Sequence, residues 1–232
     1  MRRLLVFSTF AASVLISVTG AEAKAPPNGF EVCGAQACTA ISTFTDAEPL
    51  AIGLWFGGDD GAAELSTPAA TPAPFYALHW AFQQGDVHTG YYVPQLNVFR
   101  YVGDPGAATE SSNGMVHWIK LGQRARTVLE RLTATLEPFP SPVPSRVTVG
   151  GRAVRDPESY LRLWSVAGRP TYAWPRGGFL RIRITCNLAS PWTDAAGQLS
   201  VSRRGAYMLR DSTVLRIPLK LARQVRARAS LR

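Results

Sequence analysis

The chain has 232 residues, of which 46% are hydrophobic and 18% charged, and its formal net charge at pH 7 is +9. This apolar content excludes a chain that is disordered throughout, and it is enough for one large domain or two small ones. The charge is unevenly distributed. Lys24 to Trp118 contains two basic and nine acidic residues, whereas Ile119 to Arg232 contains 21 basic and six acidic residues. Either the acidic half docks on the basic half, or the basic half faces an anionic partner.

The first residues have the pattern of an export signal. A basic start at Arg2-Arg3 precedes an apolar run from Leu4 to Val18, and Ala21-Glu22-Ala23 has the small-x-small form of a cleavage site. This pattern predicts a signal peptide over residues 1–23 and a mature chain, residues 24–232, that is secreted or lies in the cell envelope. The alternative is a retained membrane anchor. The apolar run is short for a bilayer, and no second run reaches that length, so no transmembrane segment is expected in the mature chain.

Three cysteines follow the export signal. Cys33 and Cys38 flank a short loop that contains Gly34, and an oxidising compartment favours a disulfide across such a loop. A redox-active pair is disfavoured, because its usual spacing is two intervening residues and not four. Cys186 ends the strand predicted over Phe179–Cys186, on its apolar side, and is expected to be a buried, inert thiol.

Extended segments dominate the rest of the first half. Leu50 to Phe56 is an apolar run of strand length, and Gly57 to Pro74 is predicted to be a surface loop. Alternating apolar residues from Phe75 to Phe82 predict a strand that returns, after a polar turn, through Tyr91 to Val102. Met115 to Leu121 is predicted to be a short strand.

The second half contains further strands and its own turn signals. Gly150-Gly151 predicts a tight hairpin, and Phe179–Cys186 alternates like a half-buried strand. A meander is predicted over three segments, which are Gln198–Ser202, Ala206–Leu209 and Thr213–Ile217, with turns at Arg203-Arg204-Gly205 and Arg210-Asp211-Ser212.

Helical patterns are fewer than strand patterns. Apolar spacing and capping signals predict three helices, at Gln123–Leu136, Pro157–Ala167 and Leu219–Arg228. The last helix carries basic residues without acids, so its narrow apolar stripe either packs on the core or tethers the chain to an anionic surface. We therefore predict an α+β fold, mainly antiparallel sheet with two or three helices. A single domain is favoured, although the proline-rich residues 138–145 are a possible sub-boundary.

No recognisable catalytic motif occurs, so a non-enzyme is favoured and neither a cofactor nor a metal is expected. His79, His88 and His117 suit zinc only if the fold brings them together. The alternative function is a secreted hydrolase acting on a polysaccharide through paired carboxylates. Its candidate residues are Asp86, Asp104 and Glu110, in loops around the aromatic hairpin.

The remaining signal is the arginine content of the second half. Arg181 and Arg183 share one face of their predicted strand, and four more arginines lie in the following meander. These four are Arg203, Arg204, Arg210 and Arg216. Together they predict a basic surface suited to phosphate or carboxylate. Because export disfavours nucleic acid, the expected partner is an anionic envelope polymer, a lipid headgroup or an acidic protein.

Overall fold

The computed structural model describes much of the chain after residue 28. The described residues are 29–41, 46, 50, 62–65, 72–81, 87–102, 116–155, 160, 162–163, 168–171, 179–192, 197–203, 205–210 and 213–230. Within them the chain forms two antiparallel sheets of seven strands each, two α-helices with defined bounds and a short 3-10 helix, Pro94–Leu96. The expectation of an α+β fold that is mainly antiparallel sheet is confirmed. The predicted signal peptide, residues 1–23, lies outside the described residues.

The first sheet is built around the predicted aromatic hairpin. Its strands are β1 (Gly29–Cys33), β2 (Cys38–Ile41), β3 (Ala63–Glu64), β4 (Tyr76–Ala81), β5 (Val87–Val93), β6 (Val98–Val102) and β7 (Val116–Lys120). Their spatial order is β2-β1-β4-β5-β6-β7-β3. β4 and β5 pair from Tyr76 opposite Tyr92 to Ala81 opposite Val87, as the alternation predicts. Leu78 and Trp80 are buried on the inner face.

The structure corrects two expectations in this half. Leu50 is helical and buried, although it begins the run predicted to be a strand. A short apolar run is compatible with a buried helix and with a strand, so its composition does not determine which of the two forms. Ala51 to Phe56 lie outside the described residues. Ala63 and Glu64, within the predicted loop Gly57–Pro74, form β3 against Lys120 and Ile119. The edge of β7 offers unpaired backbone groups there, and these bind an adjacent extended segment.

Cys33 and Cys38 form the predicted disulfide, with an S–S distance of 2.06 Å across the β1–β2 hairpin. The hairpin loop is also held from outside. The amide N–H of Ala35 donates to the carbonyl of Glu137 at 2.8 Å, and the Gln36 side chain donates to the Glu137 carboxylate at 2.8 Å. The disulfide therefore shapes a loop that contacts the segment after the first helix. Cys186 is half-buried and makes no disulfide.

Helix α1 (Gln123–Thr133) covers the inner face of the first sheet with Ala125 and Leu129, both fully buried. It ends before the predicted Leu136. There the N–H of Ala134 donates to the Arg131 carbonyl and that of Leu136 to the Thr133 carbonyl. These three-residue bonds tighten the last turn and satisfy carbonyls that the helix leaves open.

The second sheet contains the predicted hairpin and meander. Its strands are β8 (Pro144–Val149), β9 (Arg152–Ala153), β10 (Arg169–Pro170), β11 (Leu180–Cys186), β12 (Gly197–Val201), β13 (Ala206–Arg210) and β14 (Thr213–Ile217). Their order is β10-β14-β13-β12-β11-β8-β9. Gly150 and Gly151, with φ of 57° and 84°, form the two-residue turn between β8 and β9.

Helix α2 (Leu219–Ser230) covers the inner face of the second sheet. Ala222 and Val225 are fully buried, so the apolar stripe of this basic helix packs on the core. Tyr160 and Leu163 are helical and buried in the same core. The remaining residues of the helix predicted over Pro157–Ala167 lie outside the described residues, apart from Arg162, which is helical and exposed.

Aromatic contacts link the first sheet and its neighbouring segment to the connector and to the chain after β11. Phe139, in the proline-rich connector, exchanges both backbone hydrogen bonds with Phe75 and stacks on its ring at 5.3 Å. Trp192 packs on Trp118 of the first sheet, with ring centroids 5.9 Å apart. No helix in the described part of the chain combines enough length and apolar character to cross a membrane.

Candidate anion-binding face

Strand pairing shows which side chains share the outer face of the second sheet. Ile182, Leu199 and Met208 are buried on the inner face. Side chains alternate along a strand, so the residues between them point outward. Five exposed arginines lie on this outer side. They are Arg146 on β8, Arg181 and Arg183 on β11, Arg216 on β14 and Arg169 on β10. We name these five residues the arginine face.

Three of these arginines form the first flank of the face. Arg181 and Arg183 are two positions apart on β11 and therefore point the same way. Arg183 is opposite Thr148, and Arg146 is opposite Thr185, so Arg146 is a diagonal neighbour of Arg183. Diagonal neighbours lie roughly 7–8 Å apart, within reach of long side chains. The first flank therefore concentrates three guanidinium groups.

The second flank consists of Arg169 and Arg216, which are directly opposite each other on β10 and β14. Side chains in this relation have Cβ atoms roughly 4.5–5.5 Å apart. Both arginines are exposed. The second flank thus places two like charges side by side at the edge of the sheet.

A neutral strip separates the flanks. β12 and β13 lie between β11 and β14, so the flanks are three strand spacings apart, or about 14 Å. On the outer side of this strip, Gln198, Tyr207 and Leu209 are half-buried and Ser200 is buried. This side of the sheet therefore has two basic edges and an uncharged middle that contains polar groups and the half-buried Leu209.

The six arginines proposed from the sequence do not all share this face. Arg181, Arg183 and Arg216 do, and Arg203 is exposed in the turn after β12. Arg204 lies outside the described residues. Arg210 is only 2% exposed, and it lies on the inner side. It belongs to β13 and not to the predicted turn, so it follows the alternation of Ala206 and Met208 into the interior.

Two residues of the arginine face, Arg146 and Arg169, are not among the six arginines predicted from the sequence. Arg146 has a signal, because Val147 and Val149 of the same strand are buried and an alternating strand then points Arg146 outward. No sequence pattern indicates the position of Arg169, because β10 is only two residues long and forms by pairing with β14.

Two ion pairs between described residues involve arginines of α1. Arg126 pairs with Glu130 at 3.2 Å, and Arg131 pairs with Asp46. No carboxylate among the described residues forms an ion pair with Arg146, Arg169, Arg181 or Arg216. The acidic residues of the second half after the connector lie outside the described residues; they are Asp156, Glu158, Asp194 and Asp211. Among the described residues, the acidic half therefore contacts the basic half through an ion pair at α1, and no described carboxylate forms one with these four arginines.

The three histidines do not converge. His79 lies on the outer side of the first sheet, with its Nδ1 atom 3.1 Å from Thr89 Oγ1. His88 stacks on Trp80 and His117 on Tyr101, on the opposite, inner side. The described residues contain one group with metal-ligand spacing, formed by Glu31 with Cys33 and Cys38. The disulfide occupies both of its sulfur atoms, so a carboxylate alone remains.

The carboxylates of the hydrolase alternative, Asp86, Asp104 and Glu110, lie outside the described residues. Comparisons of the chain with protein-family models, with curated proteins and with solved structures find no match. The arginine face is consequently the candidate site with described geometry.

Proposed function

We propose that residues 24–232 form a single domain, exported by a signal peptide over residues 1–23 and located in the cell envelope or outside the cell. In this proposal the protein is a non-catalytic binding or structural protein, and its arginine face holds an anionic partner. The observation that carries the proposal is the gathering of five exposed arginines on one side of one sheet.

The chemistry of arginine supports an anionic partner. A guanidinium group is planar and always charged, and it donates two parallel hydrogen bonds to a carboxylate or phosphate. The flanks hold several such groups within reach of one another. Such a concentration of positive charge raises the local concentration of anions and favours their capture.

We prefer a binding function over hydrolysis because the structure describes the residues that the binding function needs. The hydrolase requires two carboxylates at a defined separation around a cleft. Its candidate residues have no described position, whereas four arginines of the face are exposed and make no ion pair with a described carboxylate.

The test compares two variants with the same loss of charge. Arg181→Gln/Arg216→Gln removes one arginine from each flank, and Lys220→Gln/Arg223→Gln removes two exposed charges from α2. The dissociation constant for fluorescein-labelled dextran sulfate is measured for both variants and the parent chain. Loss of charge-assisted hydrogen bonds predicts that the first variant binds roughly tenfold more weakly, or worse, while the second binds like the parent apart from a small general effect.

Circular dichroism and a thermal melt check that both variants are folded. Equal weakening in the two variants would show that net charge alone attracts the polymer. Unchanged binding in the Arg181→Gln/Arg216→Gln variant would remove the arginine face from the proposal.

A further inference from the structure

The division of the arginine face into two flanks indicates the shape of its partner. One small anion reaches one flank only, because the flanks are about 14 Å apart across β12 and β13. A partner that uses both flanks carries several anionic groups along an extended chain. Its direction is across the strands, from β8 and β11 towards β14 and β10.

The surface between the flanks argues against a membrane or a protein as the partner. The exposed large hydrophobic residues of the described chain are Val87, Leu96, Val102 and Val143, and none lies on the arginine face. Membrane-binding surfaces insert apolar side chains below the headgroups. Protein interfaces bury an apolar or aromatic centre inside a polar rim. Between the flanks the aromatic Tyr207 and the apolar Leu209 are half-buried, and no fully exposed large apolar side chain lies there among the described residues, so this surface suits a hydrophilic partner.

The neutral strip indicates how the charges of the partner are spaced. Gln198 and Tyr207, half-buried between the flanks, carry an amide and a phenol that can hydrogen-bond to hydroxyl groups. A chain with a charge on every short unit, such as polyphosphate, would leave its central charges without cationic partners. A chain in which charged and neutral hydroxylated units alternate matches both the flanks and the strip.

We infer that the partner is an extended anionic polysaccharide that bridges the two flanks. This inference rests on the proposed function and adds the chemical class and the direction of binding. Bridging makes the second contact intramolecular, so a chain long enough to touch both flanks binds far more tightly than a short one.

The experiment uses hyaluronan oligosaccharides, in which charged and neutral sugars alternate, in a series from the disaccharide to the decasaccharide. Affinity is measured by calorimetry for the parent chain and for two variants that each remove one flank. These variants are Arg146→Gln/Arg181→Gln and Arg169→Gln/Arg216→Gln. Lys220→Gln/Arg223→Gln is the control with the same charge change.

The expected result is a steep gain in affinity at the length that spans the flanks. Each flank variant loses this gain and binds the long oligosaccharide at least roughly tenfold more weakly, whereas the α2 control keeps it. Binding of the disaccharide changes little when only one flank is removed.

Three results would overturn the inference. A gradual rise with length that is equal in all variants would exclude bridging. Tighter binding of polyphosphate or of phosphatidylglycerol vesicles, still dependent on both flanks, would exclude the polysaccharide class and leave the proposed function intact. Failure of every anionic probe to distinguish the flank variants from the control would overturn the proposed function as well.

Discussion

Arg169 and Arg216 are directly opposite each other on the antiparallel strands β10 and β14, and both are exposed. Like charges in this relation lower the stability of a sheet, typically by some tenths of a kcal/mol. A pair that costs stability is expected at a site where an anion offsets the repulsion.

The first prediction concerns this pair. Arg169→Glu replaces repulsion by attraction and should raise the free energy of unfolding by about 0.2–1 kcal/mol, while weakening binding to dextran sulfate. Urea unfolding and the binding assay measure the two effects. Arg152→Glu is the control. Arg152 of β9 is opposite the uncharged Val149 of β8, so its replacement relieves no repulsion between paired residues. Lower stability in Arg169→Glu would contradict the argument.

Arg210 is predicted to stabilise the fold and not to bind a partner. Its side chain is 2% exposed on the inner face of the second sheet, whereas Arg181 is exposed on the outer face. Arg210→Gln should lower the free energy of unfolding by about 2 kcal/mol or more, since loss of a buried charged group leaves its surroundings unsatisfied. Arg181→Gln should change it by less than about 0.5 kcal/mol. Chemical denaturation distinguishes the two, and equal effects would refute the assignment of Arg210 to the interior.

Gly90 is predicted to be required by the packing of the aromatic hairpin. A Cβ atom at this position would lie 2.2 Å from Phe99 Cζ and 2.9 Å from Trp80 Cζ3. Gly90→Ala should therefore lower the free energy of unfolding by about 1–3 kcal/mol, as overpacking of a core does.

Two further variants test the cause of this loss. Phe99→Leu in the Gly90→Ala background should cost less than the sum of the single changes, because it removes the clashing ring atoms. Gly150→Asn should be close to neutral, since a Cβ there meets nothing within 4 Å and Asn tolerates a positive φ. Additive losses for Gly90 and Phe99 would point to a cause other than the clash.

Tyr92 is predicted to make the fold sensitive to alkali. Burial, and in second place the Glu130 carboxylate, raise the pKa of the Tyr92 hydroxyl to about 12, against about 10 in an unfolded chain. Between these pH values the folded state keeps a proton that the unfolded state has lost, so the free energy of unfolding falls as the pH rises.

Tyr92→Phe removes this contribution and should flatten the decline of stability between pH of about 10 and about 12. Urea unfolding at several pH values measures the slope. Burial also raises the pKa of Tyr76, so Tyr76→Phe/Tyr92→Phe should flatten the decline further. Parallel slopes for the parent and both variants would contradict the prediction.

Much of the sheet structure could be predicted because apolar residues recur at every second position of the sequence in several strands. Leu78 and Trp80 alternate with smaller residues along β4, and Ile182 and Ile184 alternate with arginines along β11. The paired glycines Gly150 and Gly151 indicate the turn after β8. In each case the local pattern and the tertiary packing favour the same structure.

The remaining elements depend on contacts that no local pattern carries. β3 and β10 have two residues each and exist because a neighbouring strand edge accepts them. Leu50 belongs to an apolar run whose composition suits helix and strand alike. For the same reason no local pattern places Arg169 on the arginine face, and the polar residues after Leu209 predict a turn although Arg210 continues β13.

Arginine footprinting tests the central claim most directly. The parent chain is treated with phenylglyoxal, with and without saturating dextran sulfate, and modified arginines are located by mass spectrometry. The account predicts that the polymer protects Arg146, Arg169, Arg181 and Arg216, while Arg124 on α1 and Arg223 on α2 remain reactive. Equal protection at all exposed arginines, or protection confined to α1 or α2, would contradict it.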